Sequence, residues 1–361
     1  MKNSSKRKIL FLGETYRADA ITWMNGLREF GDFEIVTWEL KTPSDGLLNR
    51  ASRLIEYGGA ISNIKKLVQT FDPDMIIAER TTSYGFLAAL SGVKPVAIAQ
   101  QGITDLWPEN SMLFPIKRLI QSYAFKRATL IHAWGIAMTY SMKNASVDMD
   151  KVMVLPKGID VNLFKKTEKD ADKSEKIYAI VTRSLLPEYR HRTIIKAFKI
   201  VNQKGIDFTL TIVGDGTQLI HLKKLAQNLN IESKLIFTGK IANNELPKLM
   251  NKSNFYISMP TTEGVSASLF EAMATECYPI VSDVLGNQSI ISHRENGQLV
   301  KVDNEEMLAK EIIWAFENQE YRKQAIAYNR NFVEEKANYN MNMKIIADRY
   351  HELINNFKGS N

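Results

Sequence analysis

The chain has 361 residues, which is long enough for two domains of ordinary size that each bury a hydrophobic core. Its composition, 45% hydrophobic and 24% charged, is typical of a soluble globular protein. A single cysteine excludes an internal disulfide bond and a thiolate metal cluster, and no apolar run is long enough to cross a bilayer. The short apolar stretch after the N-terminal lysines favours a first strand over a signal peptide, so we expect a cytoplasmic protein.

The formal charge of +7 lies mainly in the first half, where residues 1–165 hold 21 Lys and Arg against 16 Asp and Glu. Two interpretations stay open: a solvated basic surface, or a surface that faces anionic lipid or a phosphorylated acceptor. Nucleic-acid binding favours Lys and Arg interleaved with aromatic residues on one stripe, and the sequence has no such stripe. We therefore expect no nucleic-acid partner.

Short apolar runs alternate with helical patterns along the first half. In chain order, the predicted strands are Lys8–Leu12, Phe33–Thr37, Met75–Ala78, Val96–Ala99 and Thr129–Ala133. Predicted helices cover Ala20–Phe30 and Ile116–Arg127. This alternation is typical of a parallel sheet with crossover helices.

A polar linker over Lys165–Lys176 separates this half from a second alternating unit. The strands predicted there are Ile177–Val181, Phe208–Val213, Leu235–Phe237, Phe255–Ser258 and Tyr278–Ser282. A long amphipathic helix is predicted at Met341–Phe357. We thus predict two doubly wound α/β domains, 1–168 and 169–340, with residues 341–361 packing back on the first. Ligands of such sheets bind at the carboxyl ends of the strands, and two facing domains make a cleft.

The segment Met259–Asn287 carries the richest chemistry. A strand is followed by a loop with Glu263 and then by a helix predicted from Ala267 to Glu276. The start of a helix has unpaired N–H groups and can receive a phosphate without a metal. Carboxylates such as Glu263 and Glu271 accept hydrogen bonds from sugar hydroxyls. The alternative is that Glu263 caps the helix and Glu271 lies on its surface.

The same segment resembles the signature of glycosyltransferase family 4, the retaining enzymes of GT-B fold. The matching residues are Pro260, Glu263, Gly264, Glu271, Ala272, Met273, Ala274, Pro279, Ile280, Val281, Ser282, Asp283 and Gly286. The resemblance implies two Rossmann-like domains facing a cleft, the first binding the acceptor and the second the nucleotide sugar.

This resemblance also implies roles for single residues. Glu263 would bind the donor sugar and Glu271 the ribose, and the backbone of the following loop would bind the diphosphate. The implied donor-binding loop is Gly264, Val265, Ser266, Ala267 and Ser268. Val265 and Ser266 replace the Phe-Gly of the family beside the donor sugar, so the sugar stays open.

Val181–Phe198 resembles the family element whose arginine and lysine grip the donor phosphates. Arg183 matches the arginine, whereas the lysine is missing and either Tyr189 or Arg190 lies in its region, depending on a one-residue gap. An arginine can hold a phosphate through two hydrogen bonds and stabilise the leaving diphosphate. An ordinary basic loop is the alternative for residues 190–192.

Further matches are weaker. Gly214 and Gly216 follow a strand and resemble the loop beside the nucleoside, and Lys240 ends the next family element. In the first half, Gly13 remains from the glycine-rich first loop. Asp105 resembles the aspartate of a Gly-Ser-Asp loop that faces the donor sugar, although it could instead cap the next turn.

Three further features have a structural interpretation beside a functional one. Asp148-Met-Asp150 mimics a metal-binding Asp-x-Asp motif but precedes a first-domain strand, so we interpret it as a loop. The five histidines have no ligand spacing, and no metal is expected. The helix at Ile116–Arg127 carries basic and apolar residues that could rest on a membrane, or it could simply pack on its own sheet.

The sequence therefore predicts a metal-independent retaining glycosyltransferase of cell-surface polysaccharide synthesis. Its substrates would be a UDP- or GDP-type nucleotide sugar, with no separate cofactor, and a glycan or lipid-linked acceptor. Peripheral contact with the inner membrane face stays open. The alternatives are a catalytically silent GT-B protein that binds a glycan or partner, and a sugar-nucleotide epimerase.

Overall fold

The computed structural model describes residues 6–42, 47–106, 112–167 and 175–359. The chain forms two compact units, and each is built on its own parallel sheet. Unit 1 comprises Met1–Lys157 together with Tyr339–Asn361, and unit 2 comprises Gly158–Asn338. The chain therefore leaves the first unit once and returns to it at its end.

The described part of unit 1 contains a sheet of six parallel strands. They are β1 (Lys8–Leu12), β2 (Glu34–Trp38), β3 (Met75–Glu79), β4 (Val96–Ala99), β5 (Leu130–Ala133) and β6 (Val152–Val154). Their order is β2-β1-β3-β4-β5-β6, and β1, β3, β4 and β5 are almost wholly buried. Continuous apolar strands are typical of a parallel sheet that is covered on both faces. The winding changes direction between β1 and β3.

Helices connect these strands. They are α1 (Ala18–Gly31), α2 (Leu47–Phe71), α3 (Gly85–Leu90), α4 (Phe114–Arg127) and α5 (Met138–Asn144). A five-residue π-helical turn at Arg80–Tyr84 joins β3 to α3. Such turns are rare in proteins, but where they occur they often lie at functional sites.

Unit 2 repeats the architecture within its own described residues. Its strands are β7 (Ile177–Thr182), β8 (Phe208–Val213), β9 (Leu235–Gly239), β10 (Phe255–Ser258), β11 (Tyr278–Ser282) and β12 (Gln298–Val300). Their order is β12-β11-β10-β7-β8-β9. Its helices are α6 (His191–Gln203), α7 (Leu219–Asn228), α8 (Leu246–Asn251), α9 (Ala267–Ala274), α10 (Leu285–Gln288), α11 (Glu305–Glu317) and α12 (Gln319–Lys336). The winding of this sheet reverses between β7 and β10.

A last helix, α13 (Tyr339–Lys358), belongs to unit 1 and packs along α1. Glycines on α1 permit this close approach, because a Cβ on Gly26 would lie 2.6 Å from the Met343 side chain. Tyr350 of α13 is fully buried, and its hydroxyl lies 2.7 Å from His132 Nε2 at the end of β5. The helix thus completes the core of unit 1.

The two units divide earlier than the sequence predicts. The expected boundary after residue 168 and the middle of the linker, residues 168–174, lie outside the described residues. Unit 2 begins at Gly158 because the next segment hydrogen-bonds to α12: Ile159 N–H donates to the Ala337 carbonyl at 2.8 Å, and Arg330 Nη1 donates to the Phe164 carbonyl at 2.8 Å.

Predicted strands agree with the structure to within two residues at each end. The helix expected over Ala267–Glu276 ends at Ala274 instead, because Glu276 takes a left-handed backbone conformation with φ of +62°. Among the described residues, no helix combines the length and apolar character that a bilayer span requires.

Candidate active site

The centre of the unit 2 sheet brings two loops together. β7 and β10 are neighbours, yet the chain winds from β7 towards one edge of the sheet and from β10 towards the other. Ligands of open α/β sheets bind outside the carboxyl ends of the strands at such a switch point. Arg183 directly follows β7, and Glu263 lies in the loop after β10. Both predicted residues therefore occupy the position where this fold forms a site.

The Arg183 guanidinium is held by several partners. It forms an ion pair with Glu263, and its Nη2 donates to Ser266 Oγ at 2.7 Å. Its Nε lies 3.4 Å from Ser258 Oγ, and the ring centroid of Tyr189 is 5.3 Å from Cζ. The Arg183 and Glu263 side chains are only 17% and 13% exposed. The charge is thus fixed in place, while Nη1 carries two further N–H donors.

Ser266 also caps α9. Its Oγ accepts a hydrogen bond from Leu269 N–H at 3.2 Å, as a serine N-cap does. Ser268 Oγ lies 3.2 Å from Ser266 Oγ and accepts from the Tyr256 hydroxyl at 3.0 Å. The N–H groups of Ala267 and Ser268 belong to the first turn, where a helix provides no acceptor of its own. The site therefore combines a guanidinium with the positive end of a helix dipole, which is a favourable environment for an anion.

Glu271 lies one turn further along α9. Burial raises its pKa to about 7, and the nearby positive charge of Arg183 opposes this rise. Burial also raises the pKa of Glu263, again against the influence of Arg183. A buried carboxyl is costly to ionise without hydrogen-bond donors, so Glu271 suits a ligand that supplies hydroxyl groups.

Two glycines fix the backbone of Arg183. A Cβ on Gly214, where φ is +137°, would lie 2.4 Å from the Arg183 carbonyl oxygen. A Cβ on Gly216 would lie 2.6 Å from the Leu185 carbonyl oxygen, and Leu185 N–H donates to the Asp215 carbonyl at 2.9 Å. The Gly-x-Gly loop after β8 therefore packs directly against the loop after β7, and larger residues would push it away.

A third glycine has the same role for Glu263. A Cβ on Gly286, at the start of α10, would lie 2.2 Å from the Glu263 carbonyl oxygen. Ser282 Oγ at the end of β11 donates to the Pro260 carbonyl at 2.7 Å, which holds the other end of the same loop. The motif residues after Glu271 thus position the Glu263 loop, Gly286 through its lack of a side chain and Ser282 through its hydroxyl.

Arg190 has different contacts. Its Nε lies 2.8 Å from a carboxylate oxygen of Asp303, and its Nη1 donates to the Pro187 carbonyl at 2.6 Å. These side chains are 33% and 57% exposed, as in an ordinary surface ion pair. The structure therefore brings Arg183, and not Arg190, into contact with Glu263.

The remaining predicted donor residues flank this cluster. Gly264 and Val265 are half-buried between Glu263 and the cap of α9. Lys240 is exposed directly after β9, where the Gly239 carbonyl accepts from Gly214 N–H at 3.0 Å. Lys240 thus lies next to the glycine loop without a described contact to Arg183.

Unit 1 has its own polar cluster at the carboxyl ends of β1 and β3. Arg80 donates to both carboxylate oxygens of Glu14, at 3.0 and 2.7 Å, and Arg17 Nη1 donates to the same group at 3.2 Å. Burial alone would raise the pKa of Glu14, but the two arginines outweigh it and the pKa falls below its ordinary value. Arg80 has a φ of +60°, an uncommon left-handed conformation that places it at the start of the π-helical turn.

Glu79 is the most buried acid of this cluster, at 2% exposure. Burial raises its pKa to about 7, the charge of Asp19 adds to the rise, and Lys157 and Arg80 oppose it. Gly13 leaves room beside it, since a Cβ there would lie 2.9 Å from Glu79 Oε2. The predicted residue Gly13 therefore touches a carboxyl that the sequence analysis did not select.

Asp105 belongs to the same edge of unit 1. Its Oδ2 accepts from the Thr81 N–H and hydroxyl at 2.8 and 2.9 Å, and its Oδ1 accepts from Gln101 N–H at 3.3 Å. Burial raises its pKa despite these donors. Gln101 Nε2 in turn donates to Glu79 Oε1 at 3.2 Å, which connects Asp105 to Glu79. Asp105 thus anchors its loop to the π-helical turn.

Sequence reasoning missed Glu14, Glu79 and Arg80, and it named Tyr189 only as an alternative to Arg190 and not as a partner of Arg183. One signal was available, because Glu79 and Arg80 are adjacent charges at the carboxyl end of a buried strand. Asp148 and Asp150 do lie in a short turn before β6, where Asp148 accepts from Asp150 N–H. Over the described part of the chain, no group of three or more His, Cys, Asp or Glu is arranged to hold a metal ion.

Two family models match the chain over the elements just described. The model for glycosyl transferases group 1 matches residues 164–332, and the glycosyl transferase 4-like model matches residues 8–134. The chain belongs to the family 4 glycosyltransferases. It is therefore an enzyme of the transferase class, and its two units have the GT-B fold.

Similar proteins cover most of the chain. A galactosyltransferase of Escherichia coli that acts on GlcNAc-diphosphoundecaprenol is 24% identical over 71% of this chain and 70% of its own length. A Campylobacter jejuni N-acetylgalactosaminyltransferase with a diphospho-undecaprenol substrate is 26% identical over 80% of this chain and 79% of its own. The solved structure of Anabaena HepE with UDP has a TM-score of 0.79 at 19% identity, covering 96% of this chain and all of that one.

Proposed function

We propose that unit 2 binds a nucleotide diphosphate sugar of UDP or GDP type and that the enzyme transfers the sugar with retention of anomeric configuration. The observation that carries this proposal is the Arg183 guanidinium, held by Glu263 and Ser266 beside the start of α9. This arrangement matches the charge and hydrogen-bonding groups of a diphosphate that adjoins a sugar. The complex of HepE with UDP is consistent with such a ligand for this fold.

The diphosphate would be bound by protein groups. In this proposal the Nη1 donors of Arg183 and the N–H groups of Ala267 and Ser268 contact its oxygens. Fixed donors that face a leaving group stabilise the negative charge that develops as its bond breaks. We therefore propose that the reaction needs neither a separate cofactor nor a resident metal ion.

The two glutamates would bind the sugars of the donor. Glu271 accepts from the ribose hydroxyls, which provide the donors that its buried carboxyl needs. Glu263 accepts from a hydroxyl of the transferred sugar while Arg183 neutralises its charge. The Gly214–Gly216 loop and Lys240 lie on the side of the nucleoside in this assignment.

The anomeric configuration is retained because the acceptor oxygen attacks the same face of the sugar from which the leaving group departs. The bond between the anomeric carbon and the diphosphate oxygen breaks, and the acceptor oxygen bonds to the same face. The departing phosphate oxygen takes the proton of the acceptor hydroxyl, so the products are the glycoside and a nucleoside diphosphate. The protein contributes position and charge and needs no general base of its own.

We further propose that unit 1 binds the acceptor, a glycan or a lipid-linked sugar of cell-surface polysaccharide synthesis. Two relatives act on undecaprenol-linked substrates, which supports a lipid-linked acceptor presented at a membrane. The hydrogen-bonding groups of Glu79, Gln101 and Asp105 at the strand ends of unit 1 suit hydroxyl-rich ligands. Arg80 and Glu14 hold this edge in place.

A thermal-shift screen tests the donor assignment. Ligands that bind only the folded state raise the unfolding temperature by an amount that grows with the logarithm of 1 plus the ligand concentration over Kd. We expect UDP, GDP or their sugars to raise it in the presence of EDTA, and Glu271→Ala to abolish the shift. No shift with any of these nucleotides, or the same shift in the variant, would contradict the proposal.

A further inference from the structure

The turn between β1 and α1 in unit 1 presents one large aromatic side chain to the outside. Tyr16 is 74% exposed, so most of its ring is free to contact a ligand. Its neighbours in the turn, Thr15 and Arg17, are polar, so no apolar patch continues along the turn. Single exposed apolar groups are common in folded proteins, so the surroundings of this ring decide whether it has a role.

The main chain on both sides of Tyr16 is held in place. Arg17 N–H donates to the Glu14 carbonyl at 3.1 Å, which closes a turn around Tyr16. Thr15 donates from its N–H and from its hydroxyl to Glu39 Oε2, at 3.0 and 2.9 Å. The ring therefore projects from a fixed backbone and has few torsions of its own, so a ligand that packs on it loses little affinity to conformational entropy.

Hydrogen-bond acceptors lie beside this turn. Burial is the main cause of the raised Glu79 pKa, and the charges of Asp19 and Arg17 act on it in opposite directions, so both residues lie near Glu79. The Asp19 side chain is 42% exposed in the first turn of α1. Gln101 Nε2 donates to Glu79 Oε1 at 3.2 Å, and the amide oxygen of Gln101 is a further acceptor. The turn that carries the exposed ring therefore adjoins a carboxylate and an amide.

An aromatic face next to hydrogen-bond acceptors is complementary to a sugar ring. The face of an aromatic ring carries negative potential, and the C–H groups on one face of a pyranose are apolar and weakly positive. The hydroxyls at the edge of the pyranose are donors for carboxylate and amide oxygens. A purely apolar partner would instead cover the acceptors of Asp19 and Gln101 without pairing them, which costs free energy.

We propose that Tyr16 stacks on a pyranose ring of the acceptor while Asp19 and Gln101 accept hydrogen bonds from its hydroxyls. This inference rests on the proposed function, in which unit 1 binds the acceptor, and it adds the residue that selects the bound group. Tyr16 is then a specificity-determining residue that favours an acceptor ending in a sugar over one ending in a peptide or a lipid headgroup.

Saturation-transfer NMR with simple glycosides tests the proposal. The probes are the methyl glycosides of glucose, galactose, N-acetylglucosamine and N-acetylgalactosamine, added to the full-length chain with and without UDP or GDP. We expect the ring protons of at least one glycoside to receive saturation. Its affinity should fall about 5-fold or more in Tyr16→Ala and stay within about twofold in Tyr16→Phe, which keeps the ring. Tyr328→Ala is a matched control, because Tyr328 is 58% exposed on α12 of unit 2.

The outcomes separate the stacking role from the acceptor site and from the donor site. Unchanged glycoside affinity in Tyr16→Ala, with a loss in Gln101→Ala, would overturn the stacking role and leave the acceptor in unit 1. Binding that neither variant changes would overturn both assignments, and no saturation transfer to any of these glycosides would overturn the stacking role. The nucleotide-induced thermal shift should be equal in the wild type and Tyr16→Ala, so its absence from both would count against the donor site alone.

Discussion

At the scale of single residues, the central feature of this enzyme is an arginine that is positioned before any ligand arrives. Arg183 has charge-assisted and aromatic contacts around its guanidinium, and a guanidinium that is already ordered loses little entropy when it binds an anion. His191 is buried beside it, and burial lowers the pKa of this imidazole to about 4. His191 is therefore neutral near pH 7 and adds no second charge next to Arg183.

Replacing Arg183 should affect nucleotide binding far more than replacing Arg190. Hydrogen bonds to charged groups contribute about 1.5–3 kcal/mol, so Arg183→Ala should weaken UDP or GDP binding at least ~10-fold in calorimetric titrations. Arg190→Ala removes a half-exposed ion pair with Asp303, and its effect should stay within about twofold. Equal losses in both variants would mean that Arg190 leaves Asp303 to bind the phosphate, as the sequence motif suggests.

Glu271→Gln should separate stability from binding. The folded-state pKa of Glu271, about 7, lies above the ordinary value of 4.5. Ionisation of Glu271 therefore lowers the free energy of unfolding as the pH rises from 4.5 to 7, and the loss is complete above pH 7. The variant should therefore be more stable than the wild type by roughly 3 kcal/mol at pH 8 and equal to it at pH 4. Urea unfolding at the two pH values measures this difference.

The same variant should lose the pH dependence of nucleotide affinity that Glu271 causes. In the wild type, hydroxyl donors favour the ionised carboxyl, so affinity should rise as the pH increases towards 7 and then level off. Glu271→Gln should bind about 10-fold more weakly at pH 8 and show a flatter profile. A variant that is no more stable at pH 8, or one with the wild-type affinity profile, would contradict this role.

At the scale of elements, backbone contacts through glycine fix the loops of the site. Gly214, Gly216 and Gly286 each lie where a Cβ would come within 2.6 Å of a carbonyl oxygen in a neighbouring loop. Contacts that short require the loops to separate. The close packing of these loop main chains therefore fixes the distance between Arg183 and Glu263.

Gly286→Ala should weaken donor binding without contacting the donor. The new Cβ would clash with the Glu263 carbonyl oxygen and displace the carboxylate that pairs with Arg183. We expect a loss of about 2–3 kcal/mol in stability and a parallel loss of the nucleotide-induced thermal shift. Gly59→Ala is a suitable control: Gly59 is exposed within α2, a Cβ there would meet nothing within 4 Å, and helix propensity predicts a gain of about 0.5–1 kcal/mol.

The strands and helices were predictable where the local sequence pattern alone determines the secondary structure. Apolar runs such as Phe208–Val213 and Phe255–Ser258 coincide with β8 and β10 because strands of a covered parallel sheet are apolar throughout. The three-residue strand β12 has too short a pattern to be distinguished from a loop, and β6 is expected from the sequence only as a strand without bounds after Asp148-Met-Asp150. Arg183 and Glu263 were predictable from a motif, whereas the pairing of Arg190 with Asp303 depends on residues more than one hundred positions apart.

At the scale of the whole molecule, the C-terminal helix of the chain completes the core of unit 1. The helix α13 packs on α1, and Tyr350 fills the space beside His132, where burial lowers the imidazole pKa to about 3. His132 is therefore a neutral hydrogen-bond partner of Tyr350 at every physiological pH. The unit that we propose for the acceptor cannot form its core from the first half of the chain alone.

Tyr350→Ala should destabilise unit 1 strongly. Removing a fully buried aromatic side chain costs about 3–5 kcal/mol, and His132 would also lose its hydroxyl partner. Tryptophan fluorescence during urea unfolding reports mainly on this unit, because four of the five tryptophans precede Lys157. Tyr140→Ala, at a 53% exposed position on α5, should change stability by less than about 0.5 kcal/mol. Similar curves for the two variants would contradict the role of α13.

The central claim, that unit 2 holds a nucleotide sugar through Arg183 and the start of α9, is tested most directly by a crystal structure with the nucleotide that stabilises the chain most. We predict that the diphosphate lies within hydrogen-bond distance of Arg183 Nη1 and the N–H groups of Ala267 and Ser268. The ribose should then contact Glu271. A nucleotide bound elsewhere on the chain, or one whose phosphates do not touch Arg183, would contradict the account.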